Sequence, residues 1–197
     1  EEAAQNLYKE WFVNFRFPGY ENHQINEETG LPEGWVKIPY SETAEFINGY
    51  AFKPRHHHNK GLPIIKIKEL KNGIDNTTPR NNGNDIKSTY LLNNGDIIFS
   101  WSAHLDTYWW SNGNALLNQH LFKVVPNNNY EKEFFYFCLK TSMPEFRNRS
   151  NGATMKHIKR KELESVFLTK PNDSLQIKFS QISKSYLNKI VNLQKQN

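Results

Sequence analysis

Cysteine is nearly missing from this chain of 197 residues: Cys138 stands alone, inside the apolar run 134–139. A single thiol excludes a disulfide framework and any zinc site built on cysteines of one chain, and it fits a reducing, cytoplasmic setting. No apolar stretch approaches the roughly 18–20 residues of a membrane-spanning helix, and the N-terminus lacks the basic-then-apolar layout of a secretory signal. Catalytic signatures are also missing. There is no Gly-rich phosphate loop ending in Gly-Lys-Ser/Thr, no dinucleotide-binding glycine pattern, and no Asn-Pro-Pro-aromatic segment. Asp96 and Asp106 are the only acids between Lys87 and Glu131, and Asp96 follows Asn94-Gly95, where a carboxylate reads as a turn residue rather than a metal ligand. The chain therefore reads as non-catalytic, with no cofactor and no metal.

Acidic residues are unevenly absent. Residues 1–34 hold seven Glu against Lys9 and Arg16, whereas 51–68 and 147–161 hold no acid at all. The first acid-free stretch carries Lys53, Arg55, Lys60, Lys66 and Lys68; the second carries Arg147, Arg149, Lys156, Lys159, Arg160 and Lys161. Uncompensated positive charge of this density repels itself unless an anion is the partner, and the phosphate backbone of nucleic acid is the commonest such partner. A solvated basic face that only aids solubility is the plainer alternative. His56-His57-His58 offers three imidazoles, but adjacent residues do not converge easily on one ion, and a loop touching phosphate or base edges fits them better than zinc.

What is present in abundance is packing material, with 37% hydrophobic and 14% aromatic residues, enough for one globular unit with flanking helices. Ala4, Leu7, Tyr8, Trp11, Phe12 and Phe15 fall on one face of a helix over 1–15, stopped by Pro18-Gly19. Without an initiating Met or an N-cap, the chain is expected to start inside a helix that was longer. From Trp35 to Pro126 the signals are β: runs at Val36–Ile38, Ile64–Ile67, Asp96–Trp101 and His120–Val125, punctuated by Asn72-Gly73, Asn82-Gly83, Asn94-Gly95 and Asn112-Gly113. Helix returns over 131–142 and ends at Met143-Pro144; Arg160–Ser165 makes a short helix before a strand at Val166–Leu168. The last segment has Asp173 as N-cap with Gln176 three residues on, then Leu175, Phe179, Ile182, Tyr186, Ile190 and Leu193 near heptad spacing. The expected fold is mixed α/β (α+β). A twisted, mostly antiparallel β-rich domain over 35–172 follows a helix (1–19) and a connector (20–34). A helix over 173–197 then pairs with the first in coiled-coil fashion.

The order of segments resembles a known family. Leu7-Tyr8-Lys9-Glu10-Trp11-Phe12-Val13, Phe15-Arg16-Phe17-Pro18-Gly19 and Leu31-Pro32-Glu33-Gly34-Trp35 resemble the passage from the central conserved helix of a Type I restriction-modification specificity subunit into its second target-recognition domain. Gly49-Tyr50-Ala51-Phe52-Lys53, Pro63–Ile67, Leu92–Ser100, Asn118–Val124, Gly152–Ile158 and Pro171 leading into Leu175–Lys178 look like its successive landmarks. The resemblance implies a reader of double-stranded DNA that serves separate methyltransferase and restriction (motor) subunits. A full family member carries two recognition domains, so either a missing half or a homodimer of half-length copies is implied.

Loop residues outside the apolar pattern are the candidates for DNA contact. They are Lys53, Arg55, His56, His57 and Lys60 in one loop, then Trp101, Ser102 and His104 after a strand, then Arg147, Arg149, Asn151, Thr154, Lys156, His157 and Lys159 in a third group. Trp101 fits core and interface equally. Two other readings stay open: a single-stranded DNA or RNA module stacking bases on Tyr108, Trp109 and Trp110, and a protein-interaction scaffold that uses its terminal helices.

Overall fold

A computed structural model describes residues 1–150 and 160–194. Helix α1 (Glu2–Phe12) buries Ala4, Tyr8, Trp11 and Phe12, the face expected from their spacing. It ends earlier than Pro18, because Phe15 adopts a left-handed conformation (φ 56°) that turns the chain back. Phe15 and Phe17 then close on Trp35, with ring centroids 5.6 and 5.2 Å away.

Ten strands follow among the described residues: β1 (Val36–Pro39), β2 (Ala44–Asn48), β3 (Leu62–Ile65), β4 (Arg80–Asn81), β5 (Leu91–Leu92), β6 (Ile97–Ser100), β7 (Asp106–Trp109), β8 (Ala115–Leu117), β9 (Leu121–Pro126) and β10 (Phe167–Lys170). One sheet runs β2-β9-β6-β7 and is antiparallel throughout; a second runs β4-β3-β8-β5 and contains the parallel pair β3/β8; β1 and β10 form an antiparallel ribbon. The sheet content is thus mostly antiparallel, as expected. The Asn-Gly signals do a different job from closing hairpins. Asn94-Gly95 and Asn112-Gly113 carry the chain from one sheet to the other, and they brace each other: Gly113 N–H donates to Asn94 Oδ1 (2.7 Å), and Trp110 Nε1 donates to the Gly113 carbonyl (2.6 Å). Asn72-Gly73 ends an unforeseen helix, α2 (Ile67–Asn72), which Glu69 starts by accepting the Lys66 N–H (3.0 Å). Ile67, expected to close a strand, therefore opens a helix.

Helix α3 (Lys132–Ser150) is apolar on all sides from Phe134 to Leu139 and lies at the centre of the molecule. It runs through Pro144, where the sequence predicts a stop. The missing N–H and the ring clash cost about 3 kcal/mol in a helix interior, and the burial of Met143 and Phe146 on either side offsets it. Phe146 packs on Tyr40 (5.5 Å) and Phe99 (5.4 Å), and so holds the helix to the first sheet. After α4 (Arg160–Ser165) and β10 comes α5 (Asp173–Gln194). Its first turn is capped by Asn172, whose Oδ1 accepts the Leu175 N–H (2.9 Å), one residue ahead of the expected Asp173.

The helices at the two ends of the chain meet, but on α3 and not as an isolated pair. Phe179 lies 5.7 Å from Tyr8, 6.1 Å from Trp11, 5.3 Å from Phe12, 6.4 Å from Phe134 and 5.6 Å from Phe137. The buried face of α5 is Leu175, Gln176, Phe179, Ser180, Ser183 and Leu187, a row repeating every four residues. Serines let α5 approach α3 closely, and Ser180 Oγ accepts the Phe134 N–H (3.2 Å). Ile182 and Tyr186, expected on the buried seam, are each 37% exposed.

Two cores result. The larger joins the three helices to one face of the first sheet through Ile97, Phe99, Phe122 and Val124. The smaller lies between the sheets and contains Ile65, Leu92, Ile98, Trp110, Leu117 and Leu121. Cys138 is buried, and burial raises its thiol well above the ordinary range. Among the described residues no helix is long and apolar enough to cross a membrane.

The contrast between Phe179 and Ile182 is measurable. Phe179→Ala should destabilise the fold by about 3–5 kcal/mol, the cost of deleting a fully packed ring, and Ile182→Ala by no more than about 1 kcal/mol. Urea denaturation of the two variants checks this order.

Candidate nucleic-acid interface

The strand ends β2, β6 and β8 deliver their loops to one edge. After β2, Gly49 crosses so close to the segment joining β8 to β9 that a Cβ there would stand 2.2 Å from the Asn118 carbonyl oxygen. Backbone hydrogen bonds lock the crossing: Tyr50 N–H to Leu117 O (2.8 Å) and Gln119 N–H to Tyr50 O (3.0 Å). Tyr50 thereby becomes the centre of a half-buried aromatic group with Phe52 (4.9 Å), His56 (5.5 Å) and Tyr90 (5.7 Å).

Lys53, Arg55, His57 and Lys60 project from the same loop and are exposed. The loop is anchored rather than loose. Asn81 Nδ2 donates to the His56 carbonyl (2.7 Å), and the His58 N–H donates to Arg80 O (2.8 Å). His56 Nδ1 accepts the Lys53 N–H (3.1 Å), and Arg55 Nε approaches His56 Nε2 (3.3 Å); a neutral imidazole has one acceptor nitrogen, so these two bonds alternate. Partial desolvation, then the nearby Lys66 ammonium, hold the His57 pKa below its ordinary value. Among the described residues no three His, Cys, Asp or Glu side chains are grouped to hold a metal ion.

The second loop follows β6. Trp101 is half-buried, 5.7 Å from Phe122 and 6.1 Å from His120, so it belongs partly to the core and partly to the surface. Ser102 is buried and turned inward, unlike the expectation that it faces DNA. Ala103 has φ 55°, and His104 Nε2 stands 4.0 Å from Asp106 Oδ2. Arg147, from α3, donates through Nε (3.1 Å) and Nη2 (2.9 Å) to the Leu105 carbonyl. Arg149 pairs with Glu145 (2.9 Å) one turn back on the same helix. These contacts form a series: Arg147 to Leu105, Trp101 to His120, Gln119 to Tyr50, and Tyr50 to His56. The first two candidate groups and the start of the third therefore share one edge. Asn151, Thr154, Lys156, His157 and Lys159, with the rest of 151–159, lie outside the described residues.

Tyr50, Phe52, Tyr90, Gln119 and His120 join this edge without having been singled out from the sequence. Except for Tyr90, which precedes β5, they lie in segments that read there as family landmarks, and the available signal was their position beyond strand ends. Tyr108, Trp109 and Trp110 do not make a stacking platform. Trp110 is in the core, Trp109 packs on Tyr136 (5.6 Å) beneath Lys132, and Tyr108 lies beneath Lys140. Asp96 is a turn residue, as expected: it accepts the Asn93 N–H (2.8 Å) and pairs with Lys123 (3.0 Å).

A mixed α/β domain whose exposed cations and half-buried aromatics gather on loops at one edge has the makeup of a nucleic-acid recognition domain. The chain belongs to the family of the Type I restriction modification DNA specificity domain, whose model matches residues 32–197. It is similar to the Type I restriction enzyme EcoBI specificity subunit of Escherichia coli, 29% identical over 150 residues, covering 75% of this chain and 31% of that protein. It is also similar to the MjaIX specificity subunit of Methanocaldococcus jannaschii, 24% identical over 213 residues, covering all of this chain and 48% of that one. The fold matches the HsdS subunit from Thermoanaerobacter tengcongensis (TM-score 0.58, 19% identity, 98% of this chain and 46% of that one). It also matches the S subunit from M. genitalium (TM-score 0.61, 17% identity, 99% and 49%). The chain thus spans a third to a half of the length of these relatives.

The Gly49 crossing supports the whole edge, so Gly49→Ala should force Tyr50 away from Asn118 and destabilise the domain by about 1–3 kcal/mol. Chemical denaturation with tryptophan fluorescence checks the size of the effect.

Proposed function

We propose that this chain is a target-recognition domain, with parts of the flanking helices, of a Type I specificity subunit, and that it reads a sequence in double-stranded DNA through the edge described above. The observation that carries the reading is the family match across 32–197, the region that contains every loop of that edge. Exposed Lys53 and Lys60 suit phosphate contacts, and Arg55 suits a bidentate contact to a guanine edge. In this reading His56, His57, Trp101 and His104 meet base edges or sugars, and Arg149 exchanges Glu145 for a phosphate. Asn151, Thr154, Lys156, His157 and Lys159 join them on the sequence argument alone.

The domain does no chemistry of its own in this reading. It directs a methyltransferase subunit and, through it, a restriction motor subunit to the target, in the cytoplasm. A second recognition domain, in the same polypeptide or in a second copy of the chain, reads the other half-site. The helices then set a spacer whose bases are not read.

Salt dependence tests the reading. In complex with its methyltransferase subunit, the protein should bind duplex DNA with a log–log salt slope of about −0.9 per phosphate neutralised. Lys53→Ala with Lys60→Ala should make that slope shallower by about 1.8. A flat salt response, or tighter binding to single-stranded than to duplex oligonucleotides, would show the proposal to be wrong.

A further inference from the structure

Arg147, a cation at the edge, is engaged with the protein's own backbone and side chains. Its Nε and Nη2 both donate to one acceptor, the Leu105 carbonyl, and Nη2 stands 3.7 Å from Asp106 Oδ1. Lys140, two turns earlier on the same face of α3, reaches Asp106 Oδ1 (3.2 Å) and donates to the Thr107 carbonyl (2.9 Å). Helix α3 therefore grips the chain at three successive residues, where the loop 101–105 becomes β7. Upstream, the loop is held by Trp101 on Phe122 (5.7 Å). Between these fixed points Ala103 takes a left-handed conformation that alanine rarely adopts, which needs support from both sides.

We infer that Arg147 is a positioning residue for sequence recognition: it fixes the Leu105 carbonyl, and so the register in which Trp101 and His104 meet DNA, rather than neutralising a phosphate. The inference rests on the reading that this loop touches the duplex. Arginine is required because its planar fork presents two N–H groups to one oxygen, which the single ammonium of lysine cannot reproduce. The Asp106 carboxylate, shared with Lys140, offsets part of the guanidinium charge, and it is the two bonds to the Leu105 carbonyl that fix where the fork points.

The test uses the complex with its methyltransferase subunit, a duplex carrying the target identified from its methylation sites, and a scrambled duplex. Arg147→Ala and Arg147→Lys should each lower the target-to-scrambled affinity ratio by about tenfold or more, the scale of a misplaced base contact. Both should leave the affinity for scrambled DNA and the salt slope unchanged, with the protein still folded at the assay temperature. Hydrogen exchange should rise in peptides covering 101–106 and stay at the parent level in α5. Recovery of discrimination by Arg147→Lys, a slope shallower by about 0.9 in Arg147→Ala, or unaltered exchange at 101–106 would each overturn the inference. Trp101→Ala with His104→Ala separates the two levels. If that pair loses discrimination while the Arg147 variants keep it, the clamp alone is refuted; if that pair keeps it, the loop does not read DNA and both ideas fall.

Discussion

The packing of one ring, Phe179, holds the two ends of the described chain to its middle. Five aromatic rings from α1 and α3 surround it at centroid distances of 5.3–6.4 Å, all edge to face, an arrangement that the quadrupoles of aromatic rings favour. Helix α3 has no polar face between Phe134 and Leu139, so it is stable only if covered on every side. Helices α1 and α5 cover one side and the sheet covers the other. The same α3 that is clamped by Phe179 at its start carries Lys140 and Arg147 toward its end. The geometry of the loop edge thus depends on a contact at the opposite end of that helix.

The two-core construction gives the loops of the edge a fixed base. Strand β6 is buried on both faces, with Ile97 and Phe99 in the larger core and Ile98 in the smaller. Neither sheet can shift against the helices without disturbing the other. Loops leaving such strands inherit a fixed origin, and their own anchors, at Gly49 on Asn118, Asn81 on His56 and Arg147 on Leu105, leave little freedom beyond side-chain rotation. Charge is sorted along the chain in the same sense. Carboxylates crowd the first 34 residues, and the cations of 53–60 lie in a stretch, 51–68, that holds no acid.

Much of this was legible in the residues. The apolar face of α1, the short helix at 160–165, the core strands at 97–100 and 121–126 and the grouping of cations in the 53–60 loop follow from local pattern. The misreadings share a physical cause: tertiary packing overrode a local rule. Pro144 stays helical because Met143 and Phe146 both have buried places to fill. The buried stripe of α5 follows Ser180 and Ser183 because close approach to α3 rewards small residues, leaving Ile182 and Tyr186 partly outside. Ser102 points inward although its neighbours read as surface. The engagement of Arg147 with Leu105 spans 42 residues, a separation at which no spacing argument operates.

The central claim is that the edge built from the 49–60, 101–105 and 118–120 loops is the surface that meets DNA. Site-specific photo-crosslinking tests it most directly. With a benzophenone side chain in place of Gln119, and separately in place of exposed Ile25 or Ile177, the protein, together with the methyltransferase subunit proposed as its partner, is irradiated on duplex DNA. The account predicts a protein–DNA adduct from position 119 and none from 25 or 177. Adducts from 25 or 177 with none from 119 would contradict it.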